Sequence, residues 1–284
     1  MGARMKHIYL NLKRFDVVPE RGGVNRLAAP LDWGAAVVSA IQEGIEPYTG
    51  AASFAAFLPE SQLASALGAR RPDSPLAIGP QGVHREDVAP GGNFGAMTSL
   101  RPASAMAQIG CGAAIIGHCE ERGNLRAVLD AAGVAPDRAR ETVDALLGAE
   151  VRAAQAAGLS VLLCIGEHAE EQGAWEEVLG HQLDAGLDGA DASQVVIAYE
   201  PVWSIGPGKT PADAPYIQKI ARFVKERTGG ADVVYGGGLK ADNAKMLAGI
   251  TEIDGGLIAL TRFAGEIGFY PDEYLEIVDR YLNA

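Results

Sequence analysis

The chain has 284 residues, 48% of them hydrophobic and 21% charged, enough for a sizeable core in one large α/β domain or two ordinary ones. A formal charge of −12 argues against nucleic acid as the main partner, since a phosphate backbone needs clustered Lys and Arg. A small phosphorylated metabolite needs only a local ring of donors and is not excluded. The three cysteines, Cys111, Cys119 and Cys164, lack metal-type spacing, which predicts a reducing compartment. With no evident signal peptide and no apolar run long enough to span a bilayer, a cytoplasmic protein without a membrane partner is expected.

In chain order, short β-rich runs alternate with helical segments. Residues 7–11 (HIYLN) read as a first strand, followed by an unusually long polar connection to about Asp32. Ala36, Val37, Ala40 and Ile41 lie at helical spacing and predict a helix over 33–43. A strand over 51–58, a short helix over 62–67 and a third strand over 76–79 lead to a loop with Gly91, Gly92 and Gly95. A helix over 103–109 and a fourth strand over 113–116 come next. A long helix over about 138–157 carries Val143, Leu146, Leu147 and Val151 on one face and stops at Gly158. The remaining strands are expected at 159–165, 195–200, 232–235 and 256–258. Helices fall between them at 175–187, 216–228 and 242–248, and a closing helix follows Pro271. Eight strands, each followed by helical sequence, indicate a single-domain α/β barrel of the (β/α)₈ type over residues 1–284. On pattern alone the alternative is a doubly wound open sheet.

In such a barrel chemistry collects at the carboxyl ends of the strands. The first strand delivers Asn11 and Lys13, the fourth His118, the fifth Glu167 and the sixth Glu200. The seventh delivers Gly236, Gly237 and Gly238, and the eighth leads into Ala259, Leu260 and Arg262. A base, a cation, an imidazole and a glycine-rich anion cradle on one rim suit proton abstraction beside a carbonyl of a phosphorylated substrate. Pro201 disfavours helix at Glu200 and holds it extended, and the segment after it is rich in Gly and Pro, as a lid would be.

The stretch AYEPVWSIGPGK (198–209) closely resembles the signature of the triosephosphate isomerase family, whose fold is the TIM barrel. Asn11 and Lys13 match that family's opening motif, and I-I-G-H-C-E-E-R around His118 resembles its G-H-S-E-R-R. Y-G-G-G-L-K-A-D-N-A from Tyr235 aligns without gaps to its Y-G-G-S-V-K-P-E-N-A. The resemblance covers most of the chain and is weakest before about residue 50. It implies that Glu200 is the base and that His118, while neutral, polarises the substrate carbonyl from a helix N-terminus. Lys13 and Asn11 would stabilise developing charge, Glu120 would pair with Lys13, and Tyr235 would hold the closed lid. No metal and no organic cofactor is implied. The implied partners are a small phosphorylated sugar and a second copy of the chain.

Departures cluster at the phosphate end. The lid, whose Gly206 is expected to contact the substrate phosphate, carries Pro207 between Gly206 and Gly208, and proline removes an N–H and fixes φ. Gly238 replaces a serine, and Ala259 and Leu260 replace a pair of glycines that let backbone approach phosphate. Arg262 then offers itself as a replacement cation. Cys119 replaces a serine, so the usual helix-cap oxygen is missing. Glu121 stands where the family has Arg. Phe94-Gly95-Ala96-Met97 replaces the F-T-G-E that reaches into the partner subunit, so homodimer contacts are expected to be altered. The expected reaction is aldose–ketose isomerisation of a triose phosphate. The alternatives are a larger ketose phosphate, such as a tetrulose phosphate, and a non-catalytic phosphate-ligand-binding homologue. Histidines 7, 84, 168 and 181 fit no motif and read as surface or packing residues.

Overall fold

The computed structural model describes residues 4–205 and 209–284. The strands are β1 (Lys6–Asn11), β2 (Ala52–Leu58), β3 (Leu76–Pro80), β4 (Ala113–Ile116), β5 (Ser160–Ile165), β6 (Val195–Tyr199), β7 (Val233–Tyr235) and β8 (Gly255–Ile258). The helices are α1 (Trp33–Ile41), α2 (Glu60–Ala69), α3 (Ala103–Gln108), α4 (Cys119–Ala131), α5 (Pro136–Ala156), α6 (Trp175–Leu187), α7 (Ala214–Thr228), α8 (Ala244–Ala248) and α9 (Pro271–Leu282). All strand pairs are parallel in the order 3-2-1-8-7-6-5-4. The two ends of that series meet at a Gln81–Ile115 bridge and a 2.9 Å bond from the Gly112 N–H to the Ile78 carbonyl. The result is a nearly closed TIM barrel, not an open sheet.

Each strand is buried on both faces, which is why the β runs read as continuous apolar sequence. Alternate residues such as Ile8, Leu10, Ile116, Leu163 and Ile197 face the helices. Their neighbours Phe57, Ile115, Leu162, Cys164, Ala198, Val234 and Leu257 fill the barrel. Among the described residues no helix is long and apolar enough to cross a membrane.

Apolar periodicity predicts no helix over 119–131, and α4 shows why: none of its residues is buried. Only Leu125 and Leu129 lean on the core, too short a stripe to read, and only the family resemblance places a helix start beside Glu120. The long connection after β1 is an ordered plug. Buried Asn25 donates to the carbonyls of Asp16 (3.1 Å) and Ala28 (2.9 Å). Buried Gln62 of α2 accepts from the Gly34 N–H (3.0 Å) and donates to the Pro30 carbonyl (2.8 Å). The plug also leans on the connection between β8 and α9, where Arg26 donates to the Ile267 carbonyl at 2.8 Å.

The charge reversal at Glu121 has a local answer. Its carboxylate accepts the Gly117 N–H at 2.6 Å and lies against buried Glu150 of α5, with Arg101 and Arg85 nearby. Burial raises both carboxyls, and with Glu121 beside it Glu150 is pushed up to about 9, so the pair retains a proton at neutral pH.

Two outcomes are expected. Gln62→Leu strands the Gly34 N–H and the Pro30 carbonyl, and should lower unfolding stability by about 1–3 kcal/mol in urea titration while exposing residues 12–32 to protease. An unchanged midpoint would refute the anchoring role. Because the folded chain holds the Glu150 proton more tightly than the unfolded chain, stability should fall as pH rises from about 4.5 towards about 9. Glu150→Gln should flatten that slope, raising Tm most at the alkaline end.

Candidate active site

The rim at the carboxyl ends of the strands opens into a cavity of about 500 Å³ lined by Asn11, Lys13, His118, Glu200, Gly236–Gly238, Ala259 and Leu260. All of these are candidates on sequence grounds. Phe15 from the plug, Lys209, Lys240 and Phe263 also line the cavity and are not.

Glu200 follows β6 and is only 2% exposed. Its backbone N–H bonds the Ile165 carbonyl at 2.7 Å, and Pro201 keeps it extended. Gly236 stands beside it because a Cβ there would lie 2.6 Å from the Glu200 Cγ. One carboxylate oxygen accepts the Cys119 N–H at 3.0 Å, and the other lies 3.2 Å from His118 Nε2. Burial pushes the Glu200 pKa up, while His118, the Cys119 amide and the Lys13 charge pull it back without cancelling the rise.

His118 itself caps α4: its Nδ1 accepts the Glu120 N–H at 3.2 Å. The missing serine oxygen at 119 therefore leaves no open cap, a correction to the expectation of a weakened one. An acceptor role at Nδ1 places the ring proton on Nε2, facing Glu200, in a neutral imidazole. The Cys119 thiol is raised to about 12 by burial and by Glu200, so it is protonated. His118, Cys119 and Glu200 present ligand atoms within 4.8 Å of one another, but with a neutral thiol this set is a weak metal site.

Lys13 takes a left-handed backbone, φ +39°, that a lysine rarely adopts. The Asn11 side chain accepts its N–H at 3.1 Å, and Gln81 Nε2 donates to its carbonyl at 3.0 Å. Its Nζ then pairs with Glu120 at 2.9 Å. Burial opposes ionisation of Glu120, but the Lys13 hydrogen bond and charge outweigh it and the pKa falls.

Glu167 does not line the cavity. Fully buried, it accepts from the Tyr199 hydroxyl (3.0 Å), Trp203 Nε1 (2.7 Å) and the Tyr216 hydroxyl (3.1 Å). It thereby pins the segment that leads into the lid. Gly206 and Pro207, assigned to substrate contact and lid stiffness, lie outside the described residues.

The phosphate-end reading needs one correction. Arg262 does not line the cavity: its guanidinium pairs with Glu273 at 2.8 Å and stacks 3.7 Å from the Tyr270 ring. A carboxylate in the first turn of α9 and an aromatic face have captured it. The Thr261 and Arg262 N–H groups both bond the Gly268 carbonyl at 3.1 Å, so neither amide is free for an anion. Lys240 instead reaches the cavity, its Nζ 3.9 Å over the Phe263 ring. A lysine two residues after the glycine run was the available sequence signal.

A sequence model of the triosephosphate isomerase family matches residues 33–269. The triosephosphate isomerase of Alkalilimnicola ehrlichii is 34% identical over 72% of this chain and 76% of its own length. That of Rhizobium etli is 35% identical over 78% and 82%. The crystal structure of triosephosphate isomerase from Bartonella henselae superposes with a TM-score of 0.70 at 25% identity, covering 98% of this chain and 99% of that one. With its barrel, its rim carboxylate and its imidazole in these places, the chain belongs to the triosephosphate isomerase family, the isomerases that are intramolecular oxidoreductases.

Proposed function

We propose that this protein interconverts glyceraldehyde 3-phosphate and dihydroxyacetone phosphate through an enediolate. The observation that carries the reading is the Glu200–His118 pair: a buried carboxylate 3.2 Å from a neutral imidazole N–H, at the floor of a rim cavity that also holds Lys13. The single Nε2 proton of His118 is directed at Glu200. A substrate carbonyl competes for that proton, which turns the freed carboxylate towards the carbon-bound hydrogen. Glu200 then removes the proton beside the carbonyl and returns it to the neighbouring carbon. The Nε2–H and the Lys13 ammonium meet the charge that develops on oxygen. The phosphate end would be held by Lys240, Lys209 and the amides of the Gly236–Gly238 run.

The remodelled phosphate end favours a second reading, a larger ketose phosphate such as a tetrulose phosphate, because Leu260 puts a side chain where the family has glycine backbone and Phe263 lines the cavity beside it. Assays on both classes of substrate separate the two. Equal or better turnover of the tetrulose would overturn the triose reading. Exposed Phe94 and Leu100 on the connection between β3 and α3, and exposed Leu31 on the plug, support pairing with a second copy through altered contacts. The free cysteines support a cytoplasmic setting.

Glu200→Asp shortens the base and should lower kcat by about a hundredfold or more while leaving affinity for a phosphorylated ligand little changed. Unchanged turnover would remove Glu200 from its role, and unchanged affinity without any isomerase activity in the native protein would favour the binding homologue. Because Glu200 works ionised and its pKa is raised, kcat/KM should fall with acid through a midpoint above the ordinary value of about 4.3. A limb at or below that value would contradict the burial argument. Lys240→Ala should raise KM and weaken inhibition by inorganic phosphate about tenfold, whereas Arg262→Ala should leave phosphate affinity unchanged. The reverse pattern would restore Arg262 as the anion contact.

A further inference from the structure

At the opposite, amino-terminal mouth of the barrel lies a second cavity, of about 700 Å³. Its walls are small or apolar, including Ala55, Ala77 and Ala113, and its rim carries His7, Ser53 and Asp232. These three side chains form one hydrogen-bonded line. Ser53 Oγ lies 2.7 Å from His7 Nδ1, and His7 Nε2 lies 2.8 Å from the Asp232 carboxylate. The fold imposes the alignment. His7 and Ser53 are direct neighbours in the β1–β2 register, and Asp232 immediately precedes β7. The intervening strand has Gly255 opposite His7, where a Cβ would sit 1.8 Å from the His7 carbonyl oxygen, so no β8 side chain stands at that level.

We propose that Ser53, His7 and Asp232 form a second reactive centre, with Ser53 as a nucleophile towards small esters of apolar acyl groups. The chemistry follows from the line of bonds. Asp232 accepts the Nε2 proton and so fixes the tautomer in which Nδ1 is the base facing Ser53. The second oxygen of Asp232 pairs with Arg4 at 2.5 Å, which holds the carboxylate in place. The Tyr9 hydroxyl lies 3.5 Å from Ser53 Oγ, where it can donate to an oxyanion. Burial raises the Tyr9 pKa, so that hydroxyl keeps its proton. Tyr9 is also 3.2 Å from Nδ1, but Ser53 makes the shorter contact.

In the reaction Ser53 Oγ bonds to the ester carbonyl carbon and its proton passes to His7 Nδ1. The carbonyl carbon–alkoxy bond breaks and the alkoxide leaves with that proton. Water then attacks the acyl carbon, gives a proton to Nδ1, and releases the acid as Ser53 recovers its own proton. Ester and water become acid and alcohol, with no further reactant. The site is independent of the isomerase rim, since His7 and Asn11 lie four positions apart on β1, about 13 Å of strand. A mere tie between strands would need neither a void nor a serine facing it.

The test uses the full chain with a fluorophosphonate probe and p-nitrophenyl acetate. Peptide mapping should find the phosphonyl group on Ser53. Ser53→Ala should abolish that label and reduce ester hydrolysis about tenfold or more, with an unchanged circular-dichroism melt. Asp232→Asn, which leaves the imidazole without its anionic partner, should slow labelling by about tenfold or more. Absence of label on Ser53 in the unaltered protein overturns the proposal without reference to any variant. Hydrolysis that persists at full rate in a folded Ser53→Ala protein also overturns it.

Discussion

The rim depends on a carboxylate kept almost wholly from water. Glu200 is 2% exposed, and an ionised group so placed must find donors within the protein. It finds two, an imidazole N–H and the Cys119 amide at the start of α4. Meeting that need arranges much else. α4 must begin beside this carboxylate, His118 must cap it through Nδ1 so that Nε2 carries the proton, and β7 must be followed by a glycine, Gly236, where a side chain would strike Glu200. The features that make the buried carboxylate tolerable are those the proposed proton transfer would use.

The fold was largely legible in the sequence because parallel strands are buried on both faces and announce themselves as apolar runs. Boundaries moved by a few residues at most. α4 escaped because none of its residues is fully buried and only Leu125 and Leu129 lean on the core, and the plug after β1 escaped because its order comes from Asn25 and Gln62 side chains bonding backbone, which has no period. Asn11, Lys13, His118 and Glu200 were legible because strand ends in a barrel converge on one rim. Arg262 was misread because sequence gives a charge its address but not its partner, and Glu273 and Tyr270 lie eight or more residues further along the chain. Lys240 was overlooked for the converse reason: an ordinary lysine became notable only when the cavity reached it.

The barrel has two mouths of different character. At the carboxyl end, long connections crowd the opening and Lys13 is tied to Glu120. At the amino end, alanines leave a void beneath short turns, and a serine, a histidine and an aspartate border it. The ring of parallel strands thus isolates two polar clusters with an apolar plug of Phe57, Ile115, Leu162 and Leu257 between them.

Gln81 joins two matters that look separate. It makes the bridge to Ile115 that closes the barrel between β3 and β4, the thinnest part of the ladder. Its side chain also donates to the carbonyls of Lys13 and Phe57, at 3.0 and 3.1 Å. The left-handed turn that aims the lysine is therefore braced by the residue that zips the cylinder. Any fluctuation that parts this seam slackens the lysine's backbone at the same moment, before the barrel as a whole has come apart. Rim geometry in this chain is a gauge of closure: the cavity senses the integrity of the wall through one amide.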